Sequence, residues 1–144
     1  MFPWNDRIIV HDIVDVPWPV ESESFVEVRA EQVLEHIPSV SYFMVDGHIK
    51  HIYPRVLVMK EIFRVLKHKG IAHISVPISD EAFCQDPTHV APKVTEGTLN
   101  YFCGEWGGGH SGEFACDAYG IDFIFRKLKA KVTGDVLTVR LEKP

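Results

Sequence analysis

One stretch of the chain constrains the fold more than any other, because it reads as a helix that leads directly into a strand. From Arg55 onward apolar side chains recur at helical spacing, at Val56, Met59, Ile62, Phe63 and Leu66. Residues 67–70 predict a cationic last turn that stops at Gly70. The mostly apolar run 71–77 then predicts a strand covered on both faces by other elements.

Further strand-like runs alternate with helical segments along the chain. Runs rich in β-branched residues or with alternating polarity predict strands at Arg7–Asp12, Ser24–Ala30, Tyr119–Leu128 and Lys131–Leu141. Residues 39–45 fit a strand or a short helix, and residues 95–102 fit a short helix. This alternation predicts an α/β layer fold with a mostly parallel sheet and a C-terminal antiparallel strand pair.

Length, charge and cysteine count narrow the class of protein. A chain of 144 residues predicts a single domain, and 20 acidic against 15 basic residues give a net charge of −5. That balance argues against a nucleic-acid partner or a surface for anionic lipid. No apolar run approaches the roughly 20 residues of a membrane span, and three cysteines are poor material for a disulfide framework. These features predict a cytoplasmic protein with reduced thiols.

Polar residues follow the predicted strands, at the end of an open α/β sheet where ligands bind. Asp12 either accepts hydrogen bonds from an exocyclic amine or caps the turn before the proline-rich segment 16–20. His36 is either a general base, since histidine titrates near neutral pH, or a histidine packed under the sheet edge. Glu35 points about 100° away from His36 on a helix, so the two do not automatically cooperate.

Residues 79–93 predict a loop that contains a turn at Asp86-Pro-Thr-His89. Asp86 and His89 in that turn either serve the turn alone or orient one another beside a ligand. A metal site is a weaker alternative, whose ligands would come from Cys84, His89, Cys103, His110 and Cys116. We predict no metal site, because these residues lack the tight Cys-x-x-Cys or His-x-x-x-His pairs of structural zinc sites.

Four strings in this order resemble class I S-adenosylmethionine-dependent methyltransferases. They are Asp12-Ile-Val-Asp-Val-Pro-Trp-Pro, Ser24-Phe-Val-Glu-Val-Arg-Ala, Val33-Leu-Glu-His-Ile37 and Glu61-Ile-Phe-Arg-Val-Leu-Lys-His-Lys-Gly70. Gln85-Asp-Pro-Thr-His89 resembles a branch of that family common in phage and bacterial genomes. The resemblance extends from about Arg7 onward and implies a partial Rossmann-like methyltransferase sheet.

The resemblance also implies a cofactor, S-adenosylmethionine, and the residues around it. The positions that would line the cofactor are Asp12, Ile13, Ala30, Glu31 and Gln32. Asp12 would approach the adenine amino group and the backbone of Ile13 the adenine ring. His36 and His89 are candidate bases for a particular substrate, because methyl transfer from a sulfonium requires alignment more than acid–base help.

Two parts of the family pattern have no counterpart in these strings: the first strand with its glycine-rich turn, and the acidic residue that binds the ribose. The resemblance therefore implies a truncated domain over residues 1–144, incomplete as a catalyst on its own, or a degenerate non-catalytic interaction module of the same fold. The strand edge Phe25–Ala30 would then lack a neighbour. We expect it to be covered by the strand Arg7–Asp12, by a second copy in a homodimer or by a complementing chain.

Overall fold

The computed structural model describes residues 8–104 and 118–144. Its strands and helices, in chain order, are β1 (Phe25–Glu31), β2 (Ser41–Val45), β3 (His48–Ile52), α1 (Pro54–Val65), β4 (Leu66–Pro77), α2 (Asp80–Gln85), α3 (Glu96–Asn100), β5 (Arg126–Thr133) and β6 (Val136–Glu142). Short 3₁₀ helices lie at Leu34–His36 and Tyr101–Cys103. The candidate ligands His110 and Cys116 lie outside the described residues.

The main sheet has four strands in the order β1-β4-β6-β5. Strands β1 and β4 are parallel, whereas β4 pairs antiparallel with β6 and β6 antiparallel with β5. The α/β class and the closing antiparallel pair are confirmed, but the expectation of a mostly parallel sheet is wrong. A parallel pair needs a long crossover connection, and β5 and β6 are instead joined by a tight turn at residues 134–135.

The predicted helix is confirmed as α1, with a proline in its first turn, but its predicted end is wrong. The helix ends at Val65, and Leu66 is already extended, with ψ at 138°. Residues 67–70 bulge out of β4, because Phe25 pairs with Leu66 while Glu27 pairs with Ile71. Tertiary pairing with β1 therefore replaces the predicted cationic last turn.

Only one face of the main sheet is covered in the described part of the chain. Along β4 the side chains of Ala72, Ile74 and Val76 are buried, whereas the alternate residues are half-buried. The uncovered face carries charge: Arg29 donates a hydrogen bond that holds the pKa of Glu27 below its usual range. The prediction of a strand covered on both faces is therefore wrong, because the elements pack on one side of β4.

The described part of the predicted strand Arg7–Asp12 is not a strand. Ile8 and Val10 are almost fully exposed, and no backbone hydrogen bond joins residues 8–12 to β1. Without a ladder of hydrogen bonds its β-branched residues cannot form a strand. Strand β1 thus remains an edge of the sheet. Among the described residues, the strand expected at Arg7–Asp12 does not cover it.

The alternative of a strand at residues 39–45 is confirmed as β2, whereas β3 and helix α2 were not predicted and β5 lies further along the chain than expected. Strands β2 and β3 form a separate hairpin, whose turn residues Asp46 and Gly47 both have positive φ. Helix α2 occupies part of the predicted loop 79–93 and is capped by the Ser79 hydroxyl. Strand β5 overlaps the predicted strand Tyr119–Leu128 only at residues 126–128.

The hydrophobic core lies between α1 and the covered face of the sheet. Its most deeply buried large side chains include Phe125, Leu34, Met59, Ile62 and Leu141. Among the described residues α1 is the longest helix, at 12 residues, and no helix there is long and apolar enough to cross a membrane.

Candidate functional site

A pocket of about 390 Å³ opens beside the carboxyl end of β1. It is lined by Asp12, Ile13, Val14, Gln32, Val33, His36, Ile37 and Pro38. We call it the strand-end pocket. Its volume falls within the range of small-molecule sites, roughly 300–1,000 Å³. Its place at the end of a parallel strand is where open α/β sheets bind ligands.

Gln32 makes the turn that forms one wall of the strand-end pocket. Its φ of 55° is in the left-handed region, which costs a residue other than glycine about 1–2 kcal/mol. Its N–H still donates to the Ser75 carbonyl at 3.0 Å, so the ladder between β1 and β4 extends to the turn. Such unfavourable conformations concentrate at functional sites.

The structure brings some of the predicted cofactor residues together and separates others. Asp12, Ile13 and Gln32 line the strand-end pocket, as does His36. Ala30 is buried in the core, and Glu31 is exposed, with its carboxylate 3.7 Å from the Arg29 guanidinium. Strand alternation explains the separation, because neighbouring residues of β1 point to opposite faces.

Asp12 caps the turn, which is one of the two arrangements that its sequence position allowed. Its Oδ1 accepts the N–H of Val14 at 3.1 Å, and its carbonyl accepts the N–H of Asp15 at 3.0 Å, so it caps a turn. The side chain nevertheless lines the strand-end pocket. Within the described residues its Oδ2 accepts no hydrogen bond.

Helix α1 fixes the loop that carries Asp12 and Ile13. The Trp18 indole N–H donates to the Ile13 carbonyl at 2.8 Å, and the Trp18 backbone N–H donates to Glu61 Oε2 at 2.8 Å. Arg64 donates to the same carboxylate at 2.7 Å and to the Trp18 carbonyl at 3.2 Å. The Arg64 hydrogen bonds hold the pKa of Glu61 below its usual range.

Two histidines meet beside the pocket, with ring centroids 4.7 Å apart. His36 Nδ1 lies 2.9 Å from the Thr88 hydroxyl, which donates its own proton to Asp86 at 2.6 Å. The Thr88 oxygen therefore accepts from the His36 Nδ1–H. Hydrogen bonds from the Thr88 hydroxyl and N–H also hold the pKa of Asp86 below its usual range.

The His89 ring is also oriented by a hydrogen bond at Nδ1, and its side chain is largely buried. Its Nδ1 lies 2.8 Å from the carbonyl of Phe83, which can only accept, so Nδ1 carries the proton. The predicted turn is formed, because the His89 backbone N–H donates to the Asp86 carbonyl at 3.2 Å. In the neutral form of each histidine, Nε2 is then the ring nitrogen with a lone pair, and His89 Nε2 lies 3.9 Å from Asp86 Oδ2.

Glu35 completes this cluster. One ligand atom each of Glu35, His36 and His89 lies within 4.8 Å of the other two. The Glu35 side chain is 1% exposed, yet neither carboxylate oxygen has a hydrogen-bond partner among the described residues. An unpaired buried acceptor costs about 1–3 kcal/mol, and more when it is charged. We call these three residues the Glu-His-His cluster.

Arg55 holds the two halves of the Glu-His-His cluster together. Its buried guanidinium donates to the carbonyls of Leu34, Val90 and Pro92, at 3.2, 2.9 and 2.8 Å. The first precedes Glu35 and the other two follow His89. Burial lowers the pKa of Arg55, and the nearby charge of Glu35 partly offsets that effect.

The fold and the site define an α/β protein with a mostly apolar pocket at an edge strand and a cluster of one glutamate and two histidines beside it. No family model matches the chain, and no curated protein matches it with significant similarity. Among the described residues no other group of three potential metal ligands occurs, so Cys84 and Cys103 belong to none.

Proposed function

We propose that the strand-end pocket binds the adenine side of S-adenosylmethionine and that the chain is a methyltransferase-like protein. The observation that carries this proposal is the meeting of Asp12, Ile13 and Gln32 in one pocket. Asp12 and Ile13 are adjacent, whereas Gln32 lies on a separate segment after β1, and each was singled out by its resemblance to a cofactor-binding position.

The chemistry of the pocket suits an adenine ring. Asp12 Oδ2 is an acceptor for the exocyclic amine, while Oδ1 keeps its bond to the Val14 N–H. Ile13, Ile37 and Pro38 supply apolar contacts to the faces of a flat heterocycle. A mostly apolar lining with a few fixed polar groups is the usual composition of a small-molecule site.

The same lining is insufficient for the whole cofactor. The described residues that line it include one carboxylate and no glycine, so they offer little to the ribose hydroxyls and the methionine carboxylate. We therefore propose that a second copy of the chain, or a complementing chain, adds to the site along the free edge of β1. Catalysis by one chain alone is then not expected.

A degenerate interaction module of the same fold is the second candidate function. It is favoured by the exposure of Phe25 and Val26, at 42% and 69%, on the unpaired edge strand. An apolar groove of about 450 Å³ runs between β1 and the segment 9–20. Edge strands with exposed apolar side chains are templates for pairing with another chain.

Titration calorimetry with S-adenosylmethionine and S-adenosylhomocysteine separates the two functions. We expect both ligands to bind the purified chain, and Asp12→Asn to weaken binding about tenfold or more, because an amide N–H₂ would face the adenine amine. The Asn oxygen can still cap the turn. The matched control is Asp15→Asn, three residues away and outside the pocket lining, which should bind as wild type does.

Two results would overturn the methyltransferase-like proposal. One is the absence of both heat and thermal shift with either ligand, which would leave the interaction module. The other is equal binding by Asp12→Asn and wild type, which would place the ligand elsewhere.

A further inference from the structure

We propose that the Glu-His-His cluster is a binding site for a divalent transition-metal ion, with Glu35, His36 and His89 as its ligands. The site is separate from the cofactor proposal, because it requires neither adenine binding nor a second chain. It joins two short segments that are far apart in the sequence, the 3₁₀ helix after β1 and the turn after α2.

The first argument is the unpaired carboxylate. Buried carboxylates in proteins are almost always hydrogen-bonded, paired with a cation or bound to a metal. Glu35 is 1% exposed and has no hydrogen-bond donor among the described residues. Arg55 is near, but its guanidinium bonds are directed to three backbone carbonyls instead. A cation between Glu35 and the two histidines would satisfy the carboxylate.

The second argument is the orientation of the imidazoles. Each Nδ1–H donates to a fixed oxygen, Thr88 Oγ1 for His36 and the Phe83 carbonyl for His89. Histidines that bind metals characteristically donate their other ring N–H in this way, which fixes the tautomer and makes the ligating nitrogen more basic. The Thr88 hydroxyl in turn donates to the Asp86 carboxylate, so the chain of hydrogen bonds from His36 ends on a carboxylate.

The third argument is distance. Ligand atoms about 2.0–2.2 Å from a tetrahedral ion lie about 3.4 Å from one another. One ring nitrogen of each histidine and one Glu35 carboxylate oxygen lie within 4.8 Å of one another, so side-chain movements of about an ångström would bring ligand atoms to that spacing. Nothing larger than a local adjustment is needed.

The ligand set defines the class of ion. Two imidazole nitrogens and one carboxylate oxygen suit zinc, cobalt or ferrous iron rather than calcium or magnesium, which take oxygen ligands. Three protein ligands leave one tetrahedral position for water or another ligand. His36 also lines the strand-end pocket, so we place that position on the pocket side.

The test is metal titration of the full chain after chelator treatment. Zn²⁺ is followed by calorimetry and thermal unfolding, and Co²⁺ by its visible absorption. We expect one ion per chain and a metal-dependent rise in Tm. Glu35→Gln, His36→Asn and His89→Asn should each weaken binding at least tenfold. Asn keeps a donor near Nδ1 and removes Nε2, so the fold should survive. The control is His48→Asn, on the exposed strand β3, which should bind as wild type does.

Three results would overturn the site. The first is a dissociation constant for Zn²⁺ and the wild-type chain that is above about 1 mM. The second is wild-type affinity for Zn²⁺ in the ligand variants, measured on those of the three that fold without metal. The third is a thiolate-to-cobalt charge-transfer band in the near ultraviolet, which would assign the ion to cysteines instead.

Discussion

Glu61 is the residue on which the position of the N-terminal loop depends. Its carboxylate is buried and accepts hydrogen bonds from Arg64 and from the Trp18 backbone. Removing one partner of a buried charged pair usually costs far more than the pair contributes in net terms. The loop that carries Asp12 should therefore be sensitive to a change on α1, a helix that does not line the pocket.

We predict that Glu61→Gln lowers the free energy of unfolding by about 2 kcal/mol at neutral pH, because the charge-assisted hydrogen bonds are lost. Arg64 lowers the pKa of Glu61 in the folded state, so the wild-type advantage is present above the ordinary value of 4.5. It should disappear as the pH falls through the lower folded pKa. Urea unfolding of both proteins, at neutral pH and in steps below pH 4.5, measures the difference.

Asp122→Asn is the control for this prediction. It breaks the ion pair between Asp122 and Lys60, which also involves α1 but is exposed. Exposed pairs contribute about 0–1 kcal/mol, so the change in stability should be small. Equal losses in the two variants would contradict the role assigned to Glu61.

At the scale of elements, the unusual feature is the junction of α1 and β4, which has no connecting loop. Residues 67–70 fold into a bulge at the start of the strand, and Lys69 has a positive φ of 64°. A Cβ on Gly70 would lie 2.8 Å from the Lys67 carbonyl oxygen and 3.0 Å from Leu66 Cδ2. Gly70 is required for this close approach rather than as a helix stop.

We predict that Gly70→Ala lowers the free energy of unfolding by about 1–3 kcal/mol, because the new methyl group must displace backbone atoms. Gly97→Ala should act in the opposite direction. Gly97 lies in helix α3, where a Cβ meets nothing closer than 3.5 Å, and alanine there should stabilise by about 0.4–1 kcal/mol. Chemical denaturation of both variants checks the signs, and a neutral Gly70→Ala would mean that the bulge can relax.

The sequence predicts the start of α1 and both ends of β1 to within one residue, α1 because its apolar side chains recur at helical spacing on a buried face. Strand β2 was one of the two alternatives for residues 39–45, whereas β3 and the turn were missed although Asp46-Gly47 is a strong turn signal, because both strands are exposed and lack a buried face. The junction at Leu66 was misplaced because pairing with β1 overrides local helix propensity.

The candidate site is predictable to a similar degree. Asp12, Gln32 and His36 were each expected at the carboxyl end of a strand and they do share a pocket, although the strand expected at Arg7–Asp12 is not formed in the described residues. The nearness of Glu35 to His89 could not be predicted. It depends on long-range hydrogen bonds: the Val90 N–H donates to the Glu35 carbonyl, and Arg55 bonds to carbonyls on both sides of the contact.

At the scale of the whole molecule, the four-stranded sheet ends in two exposed edges, β1 and β5. Val26 on β1 is 69% exposed and Val132 on β5 is 55% exposed. The β1 edge differs because an apolar groove lies beside it. If β1 paired with β1 of a second copy about a two-fold axis, one closed contact would cover both the β1 edge and the groove beside it.

We predict a concentration-dependent dimer that Val26→Lys abolishes, because a charge on an edge strand opposes strand pairing. Val132→Lys, the same change at similar exposure on the opposite edge, should leave the dimer intact. Sedimentation of the three proteins over a range of concentrations measures this. A monomeric wild type, or a dimer lost only in Val132→Lys, would contradict pairing through β1.

The turn at Gln32 ends the same strand whose outer edge is free, so the strand-end pocket and the β1 edge share a single backbone. A ligand that fixes this turn would make the backbone of the strand more ordered for a partner. A partner that pairs with the strand would in the same way make the turn more ordered for the ligand. Their equilibria are then linked, and the linkage is reciprocal: whatever factor pairing adds to ligand affinity, the ligand must add to the association constant.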